Sequence, residues 1–180
     1  MLNIKKEKME KRIAFRRLFK KRRIVVTREG SFVLNLAKKV AVWIKPYSKK
    51  IEIVGSIRRK EKNPVDIDVV VIPKNKDKIE EVLEKHGKRV LGGEKKAYFK
   101  IDGVEVEIYY TIPEEWGAAL LAYSSKFGSS IGLRVVAMRK GFKLTQHGLF
   151  SRKTGKRIAG RTEEEIYHAL GRPWKSPEKR

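Results

Sequence analysis

The spacing of apolar residues alternates along the chain between a helical period and an extended one. Between Ser31 and Ile44 they recur every three or four positions, which predicts a helix capped by Ser31 and stopped by Pro46. Val65–Ile72 alternates and then runs apolar with many β-branched residues, as a buried strand does. The same criteria predict the strands Lys50–Val54, Lys95–Ile101, Val104–Tyr110, Phe142–Phe150 and Lys156–Ala159, and the helices Pro113–Tyr123, Asp77–His86, Ile131–Arg139 and Glu163–Leu170.

Turn and cap residues mark the ends of several elements. Asp102-Gly103 is a strong two-residue hairpin signal between two predicted strands, and Thr162 with Glu165 forms a capping box. Strands and helices follow one another in mixed order, with hairpins instead of repeated strand–helix–strand units. We therefore predict an α+β fold, in which a mixed sheet with helices is followed, from about Ile112, by a smaller α+β unit.

The net charge of the chain indicates which kind of partner the protein binds. The 180 residues include 44 Lys and Arg against 21 Asp and Glu, a formal net charge of +23. Such a charge attracts polyanions, nucleic acid first and anionic membranes second, and no strongly amphipathic helix with a bulky apolar face favours the membrane. Adaptation to high temperature would also enrich Lys and Glu, but it predicts balanced charge. Nucleic acid is the expected partner.

The same composition also indicates the cellular compartment. No apolar run approaches the roughly 20 residues that span a bilayer, and no signal-peptide pattern opens the chain. Cysteine is absent, which excludes disulfides and thiolate metal sites. We expect a monomeric intracellular protein, cytoplasmic or nucleoid-associated. Residues 1–30 hold twelve Lys and Arg against three Glu, which fits equally a basic arm along phosphates or a solvated terminus.

Two acidic pairs carry the candidate chemistry. Asp66 and Asp68 share one face of a predicted strand, where their repulsion and desolvation require a cation or a base. Glu105 and Glu107 share a face of the hairpin strand by the same period. If the two strands pair, three carboxylates can hold two divalent ions roughly 3.5–4 Å apart, as in-line phosphoryl transfer requires. Oxygen ligands select Mg²⁺ or Mn²⁺ over zinc.

A glycine-serine step and two arginines precede the first acidic pair. Gly55 and Ser56 offer backbone and hydroxyl donors to phosphate oxygens, and Arg58 or Arg59 supplies the charge. An Asp-x-Asp pair alone is more often structural or incidental than catalytic. Its combination with Gly-Ser-x-Arg-Arg at this spacing is far more restrictive.

These motifs together resemble the nucleotidyltransferase signature of the family X DNA polymerases. Further segments similar to that family are Val106-Glu107-Ile108, Pro113-Glu114-Glu115-Trp116-Gly117-Ala118-Ala119-Leu120-Leu121, Leu133-Arg134, residues 140–150, Arg157-Ile158-Ala159-Gly160 and Glu163–Pro173. The resemblance runs from about Ser31 to the C-terminus, without the lyase domain and helix-hairpin-helix fingers of larger members. It implies the minimal form seen among viral members: a palm at residues 31–112 and a thumb at 113–180, after the basic segment 1–30.

The resemblance also implies roles for individual residues. Asp66 and Asp68 would bind both metal ions, and Glu107 the catalytic one. Nucleotide-binding positions of the family fall on Gly55, Ser56 and Arg59 for the phosphates, and on Ala122, Tyr123 and Ser130. Arg134 falls on the family's template or minor-groove arginine, and Lys126 and Lys140 are further predicted DNA contacts.

Three departures from the family pattern bear on these roles. The third carboxylate is Glu instead of Asp, with one extra residue before Pro113, so Glu105 competes with Glu107 for it. A Tyr-Phe-Thr-Gly-Ser segment is replaced by residues 122–126, and Ala122 stands where a tyrosine screens the sugar. We therefore predict weakened discrimination against ribonucleotides. Ser130 replaces an asparagine that contacts the base of the incoming nucleotide.

The resulting prediction is a DNA-directed DNA polymerase that adds dNMP from a dNTP to a primer 3′-hydroxyl, fills gaps in repair, and uses two Mg²⁺ ions, with Mn²⁺ as substitute. The alternatives are a template-independent or ribonucleotide-accepting nucleotidyltransferase and a non-catalytic nucleic-acid-binding protein. We interpret His147 as a surface or partly buried strand residue instead of a catalytic base. Trp43, Trp116 and Trp174 are expected to anchor the core or the domain edges.

Overall fold

The structure, a computed structural model, describes residues 29–180. The predicted basic arm therefore lies outside the described residues, apart from its last two positions. The helices are α1 (Gly30–Ile44), α2 (Gly55–Arg58), α3 (Lys76–Glu84), α4 (Trp116–Ser124), α5 (Phe127–Arg139) and α6 (Glu163–Ala169). The strands are β1 (Ser48–Ile53), β2 (Asp66–Pro73), β3 (Lys88–Gly92), β4 (Lys96–Ile101), β5 (Val104–Tyr110), β6 (Phe142–Thr145), β7 (Gly148–Ser151) and β8 (Arg157–Ala159). Short 3₁₀ turns occupy Lys45–Tyr47, Pro113–Glu115 and Pro177–Lys179.

The first half of the described chain forms a mixed five-stranded sheet with the order β1-β2-β5-β4-β3. The central pair β2–β5 is parallel, and the other neighbours are antiparallel. Asp102 and Gly103 turn the β4–β5 hairpin with positive φ angles of 49° and 85°, as a two-residue hairpin turn of this type requires. A small three-stranded antiparallel sheet, β6-β7-β8, follows. The predicted α+β class is confirmed.

Alternation along β2 gives the five-stranded sheet two different faces. Ile67, Val69 and Val71 point toward α1 and α3 and form the main core with the inward residues of β4 and β5. Val70 and Ile72 point the other way and pack against α4. Asp66 and Asp68 lie on this second face, at the end of β2 before the α4 contact, and are half-buried. The helix arrangement thus covers the apolar part of that face and leaves its acidic end accessible.

Helix α4 lies at the junction of two cores. Trp116, Ala119 and Leu120 pack against the large sheet, whereas Ala118 and Leu121 belong to the core of the C-terminal unit. Both faces of the helix are therefore apolar, as expected for a helix buried between two layers. The division of the chain near Ile112 remains a prediction, since α4 connects the two parts directly.

Two local predictions were wrong, and one strand was missed. Phe142–Phe150 is a hairpin of two short strands that turns at Gln146 and His147. Strand β3 was not predicted, because all five of its residues are exposed and their order lacks the apolar signal of a core strand. Ser31 does not cap α1, which begins one residue earlier without a side-chain cap. The Thr162–Glu165 capping box is confirmed.

The tryptophans differ in burial. Trp116 is buried under the large sheet, and Trp43 is half-buried and stacks on His86 with ring centroids 3.6 Å apart. Trp174 is 43% exposed and lies at the edge, under the Arg180 guanidinium. None of the helices within residues 29–180 has the length and apolar character to cross a membrane.

Candidate active site

Parallel pairing of β2 and β5 brings the two acidic pairs together. The register places Asp66 opposite Glu105 and Asp68 opposite Glu107. Because side chains two residues apart share a face, all four carboxylates project from the same side of the sheet. The conditional prediction that the two strands pair is confirmed, and both glutamates lie beside the aspartates.

Asp68 has a strongly raised pKa. Burial, followed by the neighbouring charges of Asp66 and Glu107, raises its pKa to about 7. A hydrogen bond from Tyr109 and the charge of Arg59 act in the opposite direction without cancelling this rise. Bringing these carboxylates together thus costs free energy, and a bound cation would offset that cost.

Tyr109 is a site residue that sequence reasoning missed. Its hydroxyl donates a hydrogen bond to Oε2 of Glu107 at 2.6 Å and lies 3.3 Å from Oδ1 of Asp68. Its ring stacks on Tyr123 of α4, with centroids 3.6 Å apart and planes inclined by 16°. Burial and the two carboxylates raise its pKa, so the phenol stays protonated. The available signal was its position two residues after Glu107, on the same strand face.

Glu107 has a second partner on the neighbouring strand. Nζ of Lys96 lies 3.3 Å from the Oε2 atom that accepts from Tyr109. Within residues 29–180, no three acidic or histidine side chains converge on one point as the ligands of a closed metal centre do. The carboxylates are thus aligned in register, and Glu107 is directed toward a phenol and an ammonium group.

Gly55 and Ser56 open the single-turn helix α2 beside Asp68. Gly55 has φ of +64°, and a Cβ at this position would overlap the Asp68 carboxylate. Only glycine therefore allows the backbone to lie so close to the acid. The Ser56 hydroxyl oxygen is buried and has no hydrogen-bond partner among residues 29–180. A buried hydroxyl without a partner is uncommon. Its unused hydrogen-bond donor is suited to a phosphate oxygen at this turn.

The two arginines of the motif have different contacts. Arg58 donates to both carboxylate oxygens of Glu163, at 2.9 and 3.1 Å, and to the Ser124 hydroxyl at 3.0 Å. Arg59 donates to the Ser124 carbonyl at 3.1 Å and to Glu61 at 3.0 Å. Arg58 is thus committed to a buried ion pair, whereas Arg59 is held at the α4 end beside the carboxylates.

Three of the predicted thumb residues line one cleft, and two lysines lie at the ends of α5. Ala122, Ser130 and Arg134 line a small cleft between α4 and α5. Lys126 is exposed just before α5. Lys140 follows the same helix at its other end, about 20 Å away at the usual rise per residue. The structure therefore brings together Ala122, Ser130 and Arg134, whereas Lys126 precedes α5 and Lys140 follows it.

His147 lies in the β6–β7 turn, not within a strand. It is partly buried, and its Nδ1 atom is 2.6 Å from Oε2 of Glu115. Arg157 donates to the other oxygen of the same carboxylate at 2.9 Å. These contacts with Glu115 hold the histidine in the turn.

Comparison with known families identifies the C-terminal unit. Residues 128–180 match the family described as DNA polymerase beta thumb. A mixed sheet with aligned carboxylates, followed by this thumb, defines a nucleotidyltransferase of the polymerase beta type.

Curated relatives extend the match to the sheet. The chain is 31% identical over 147 residues to the "Repair DNA polymerase X" of African swine fever virus, in a tick isolate from South Africa and in a warthog isolate from Namibia. Each alignment covers 76% of this chain and 84% of the viral protein. The same protein of the Badajoz strain is 30% identical over the same length. The chain therefore belongs to family X of the DNA polymerases.

Proposed function

We propose that this chain is a DNA-directed DNA polymerase that fills gaps during repair, adding dNMP from a dNTP to a primer 3′-hydroxyl. Membership of the family supports polymerase activity in repair, binding of DNA and nucleotide, and use of a divalent metal. The observation that carries the finer proposal is the β2–β5 register, which aligns Asp68 with Glu107 next to the Gly55 turn.

In this proposal Asp66 and Asp68 hold both divalent ions, and Glu107 holds the one beside the primer. The donor set fits, because it consists of carboxylate oxygens, and burial followed by the charges of Asp66 and Glu107 raises the pKa of Asp68. When bound, the ions would activate the primer hydroxyl and neutralise the charge that develops on the leaving pyrophosphate. Mg²⁺ is the expected metal, with Mn²⁺ as a substitute.

Two observations support Glu107 over Glu105 as the third carboxylate. Glu107 is the residue opposite Asp68 in the register, and the Tyr109 hydroxyl contacts both of these acids. Glu105 is paired instead with Asp66, at the end of β2.

The α2 turn is proposed to bind the triphosphate. The free Ser56 hydroxyl would donate to a phosphate oxygen, and Gly55 would let the chain pass close to the metal site. Arg59 would supply the charge, because Arg58 is already paired with Glu163. In this proposal Arg59 binds the ligand, and Arg58 has a structural role.

Residues of α4 and α5 are proposed to contact the sugar and base. Ala122, Tyr123 and Ser130 would contact the nucleotide, and Arg134, Lys126 and Lys140 would contact DNA. A methyl group at Ala122 leaves room where a tyrosine would screen the 2′ position. This observation favours, as a second candidate activity, incorporation of ribonucleotides at the same site.

Primer extension on single-nucleotide-gapped DNA tests the proposal. Wild-type protein should extend the primer with the templated dNTP only when Mg²⁺ or Mn²⁺ is present, and NTPs should be used with weak discrimination. Extension without regard to the template base would favour a template-independent enzyme. Failure with every nucleotide and divalent ion, with DNA binding retained, would leave a non-catalytic DNA-binding protein.

Paired variants test the assignment of the carboxylates. Asp68→Ala should abolish extension and leave DNA binding intact. Glu107→Ala should lower kcat by roughly 100-fold or more, since it removes a metal ligand, whereas Glu105→Ala should have a far smaller effect. The reverse order for the two glutamates would assign the third ligand to Glu105.

A further inference from the structure

The Tyr109 hydroxyl occupies the space between two proposed metal ligands. It lies 2.6 Å from Oε2 of Glu107 and 3.3 Å from Oδ1 of Asp68, and it belongs to the same strand as Glu107. A protonated phenol can only donate to an ionised carboxylate, so its proton takes up a lone pair on Glu107. A cation that binds Glu107 through the same oxygen therefore meets the positive end of the O–H dipole, which opposes its approach.

Lys96 competes for the same oxygen, but it is a weaker competitor. Its Nζ atom is 3.3 Å from Oε2 of Glu107, and its side chain is 49% exposed. Water and salt screen such an exposed pair, and its side chain can leave at little cost. The Tyr109 phenol is partly buried and held by its ring, so it is the group with a defined position against the carboxylates.

The ring of Tyr109 connects this hydrogen bond to α4. It stacks on Tyr123 at a centroid distance of 3.6 Å. Tyr123 belongs to the helix that also carries Ala122 of the proposed nucleotide cleft, and whose end receives the Arg59 guanidinium at the Ser124 carbonyl. A shift of α4 toward an incoming nucleotide would therefore move the partner against which the phenol rests.

We propose that Tyr109 is a positioning residue that couples metal binding to the position of the thumb. Its hydroxyl holds Glu107 beside Asp68 and opposes the binding of a divalent cation, and its stack on Tyr123 makes this opposition depend on α4. This inference rests on the proposed function, because it takes Asp68 and Glu107 as metal ligands.

Mn²⁺ binding to the full chain, measured by electron paramagnetic resonance without DNA or nucleotide, tests the hydroxyl. Tyr109→Phe keeps the ring and removes the competing donor, so its Kd for Mn²⁺ should fall by roughly tenfold, the value of one hydrogen bond to a charged group. Tyr110→Phe is the matched control. It makes the same change one residue along, where the hydroxyl donates to Glu80 at 3.0 Å, and it should bind Mn²⁺ as the wild type does.

The coupling to α4 has its own variant. Tyr123→Ala removes the stack and should also tighten Mn²⁺ binding, and the double variant with Tyr109→Phe should bind no more tightly than Tyr109→Phe alone. Unchanged or weaker binding by Tyr109→Phe would overturn the proposal for the hydroxyl. Additive effects in the double variant would overturn the coupling.

Asp68→Asn separates this inference from the proposed metal site. If wild type and Asp68→Asn bind Mn²⁺ equally, the metal assignment itself fails, and the role of Tyr109 fails with it. If Asp68→Asn weakens binding while Tyr109→Phe matches the wild type, the metal site stands and only the inference about Tyr109 is overturned.

Discussion

Among single residues, Asp68 is confined by close neighbours. The backbone of Gly55 lies against its carboxylate, and Glu107 faces it across the strand pair. A ligand held in this way can bind a cation without first ordering its own side chain. The same restriction makes its neighbours sensitive to small substitutions.

Gly55→Ala tests the close approach of the α2 turn. The new Cβ would overlap the Asp68 carboxylate and would also require φ of +64° from an alanine. We expect kcat/KM to fall roughly 100-fold or more, because displacement of a catalytic group by about 1 Å has an effect of that size. Steady-state gap filling would measure it.

Gly155→Ala is the control for the backbone part of that effect. Its φ is +70°, and its added Cβ would meet no atom within 4 Å. The free energy of unfolding should be about 1 kcal/mol lower than in the wild type, and activity should be retained. Equal losses of activity in the two variants would attribute the effect of Gly55→Ala to general destabilisation.

Asp68→Asn should stabilise the metal-free protein at high pH. Burial and the charges of Asp66 and Glu107 raise the folded-state pKa of Asp68 to about 7, above the unfolded value near 3.8. The folded state therefore holds the proton more tightly, and wild-type stability is lost as pH rises from about 4 to about 7. Asp68→Asn does not lose stability in this way. The difference in the free energy of unfolding between the variant and the wild type should therefore grow from about pH 4 to about pH 7.

Urea unfolding in EDTA measures this difference. At pH 8 we expect Asp68→Asn to exceed the wild type by roughly 2–4 kcal/mol, and the difference should shrink toward pH 4. A difference that stays constant across this range would mean that the carboxylate is not under electrostatic strain.

Among the helices and strands, a buried ion cluster joins α2 to α6 and to the end of the chain. Glu163 accepts two hydrogen bonds from Arg58 and two from Arg180, and it is only 4% exposed. Burial alone would raise the pKa of Glu163, but the bonds from Arg180 and Arg58 outweigh it and lower the pKa. The cluster holds the C-terminal unit against the turn that carries Gly55 and Ser56.

Glu163→Ala should strongly destabilise the protein. It leaves two arginines without their acid, and the Arg180 guanidinium is fully buried. Loss of one partner from a buried ion cluster costs about 3–5 kcal/mol, which urea unfolding at pH 7 would detect. Glu164→Ala is the matched control, since it lies in the same first turn of α6 but is exposed. Similar losses in the two variants would contradict a clamp formed by Glu163.

Over the molecule as a whole, positive charge is distributed along the entire chain. Residues 29–180 hold 32 Lys and Arg against 19 Asp and Glu, so a net charge of +13 remains without the first 28 residues. Binding to DNA should therefore persist in a shortened chain, with a salt dependence that reports the number of phosphates contacted.

Deletion of residues 1–20 tests the basic arm. This segment carries eight Lys and Arg, and we expect weaker DNA binding and a shallower dependence of log K on log salt, by about 0.9 for each phosphate that the protein no longer neutralises. Fluorescence anisotropy with gapped DNA at several salt concentrations would measure both. A variant with these eight residues changed to Ser separates charge from length. Unchanged affinity and slope would remove the arm from the DNA interface.

Features that depend on the spacing of neighbouring residues could be predicted from the amino-acid sequence. The two-residue repeat of a strand placed Asp66 with Asp68 and Glu105 with Glu107. The capping box and the Asp102-Gly103 turn follow from short-range hydrogen bonding and backbone preference. The α+β class and the family resemblance rest on the same kind of information. All of these are properties of neighbouring residues, so the amino-acid sequence contains them.

Contacts between segments that are far apart in the sequence became visible only in the folded structure. The parallel register places Glu107, not Glu105, opposite Asp68. Packing of α6 on α2 commits Arg58 to Glu163, and stacking on α4 fixes Tyr109. No periodic signal encodes these choices, because each depends on which faces become buried together and on the charges that burial then forces to pair.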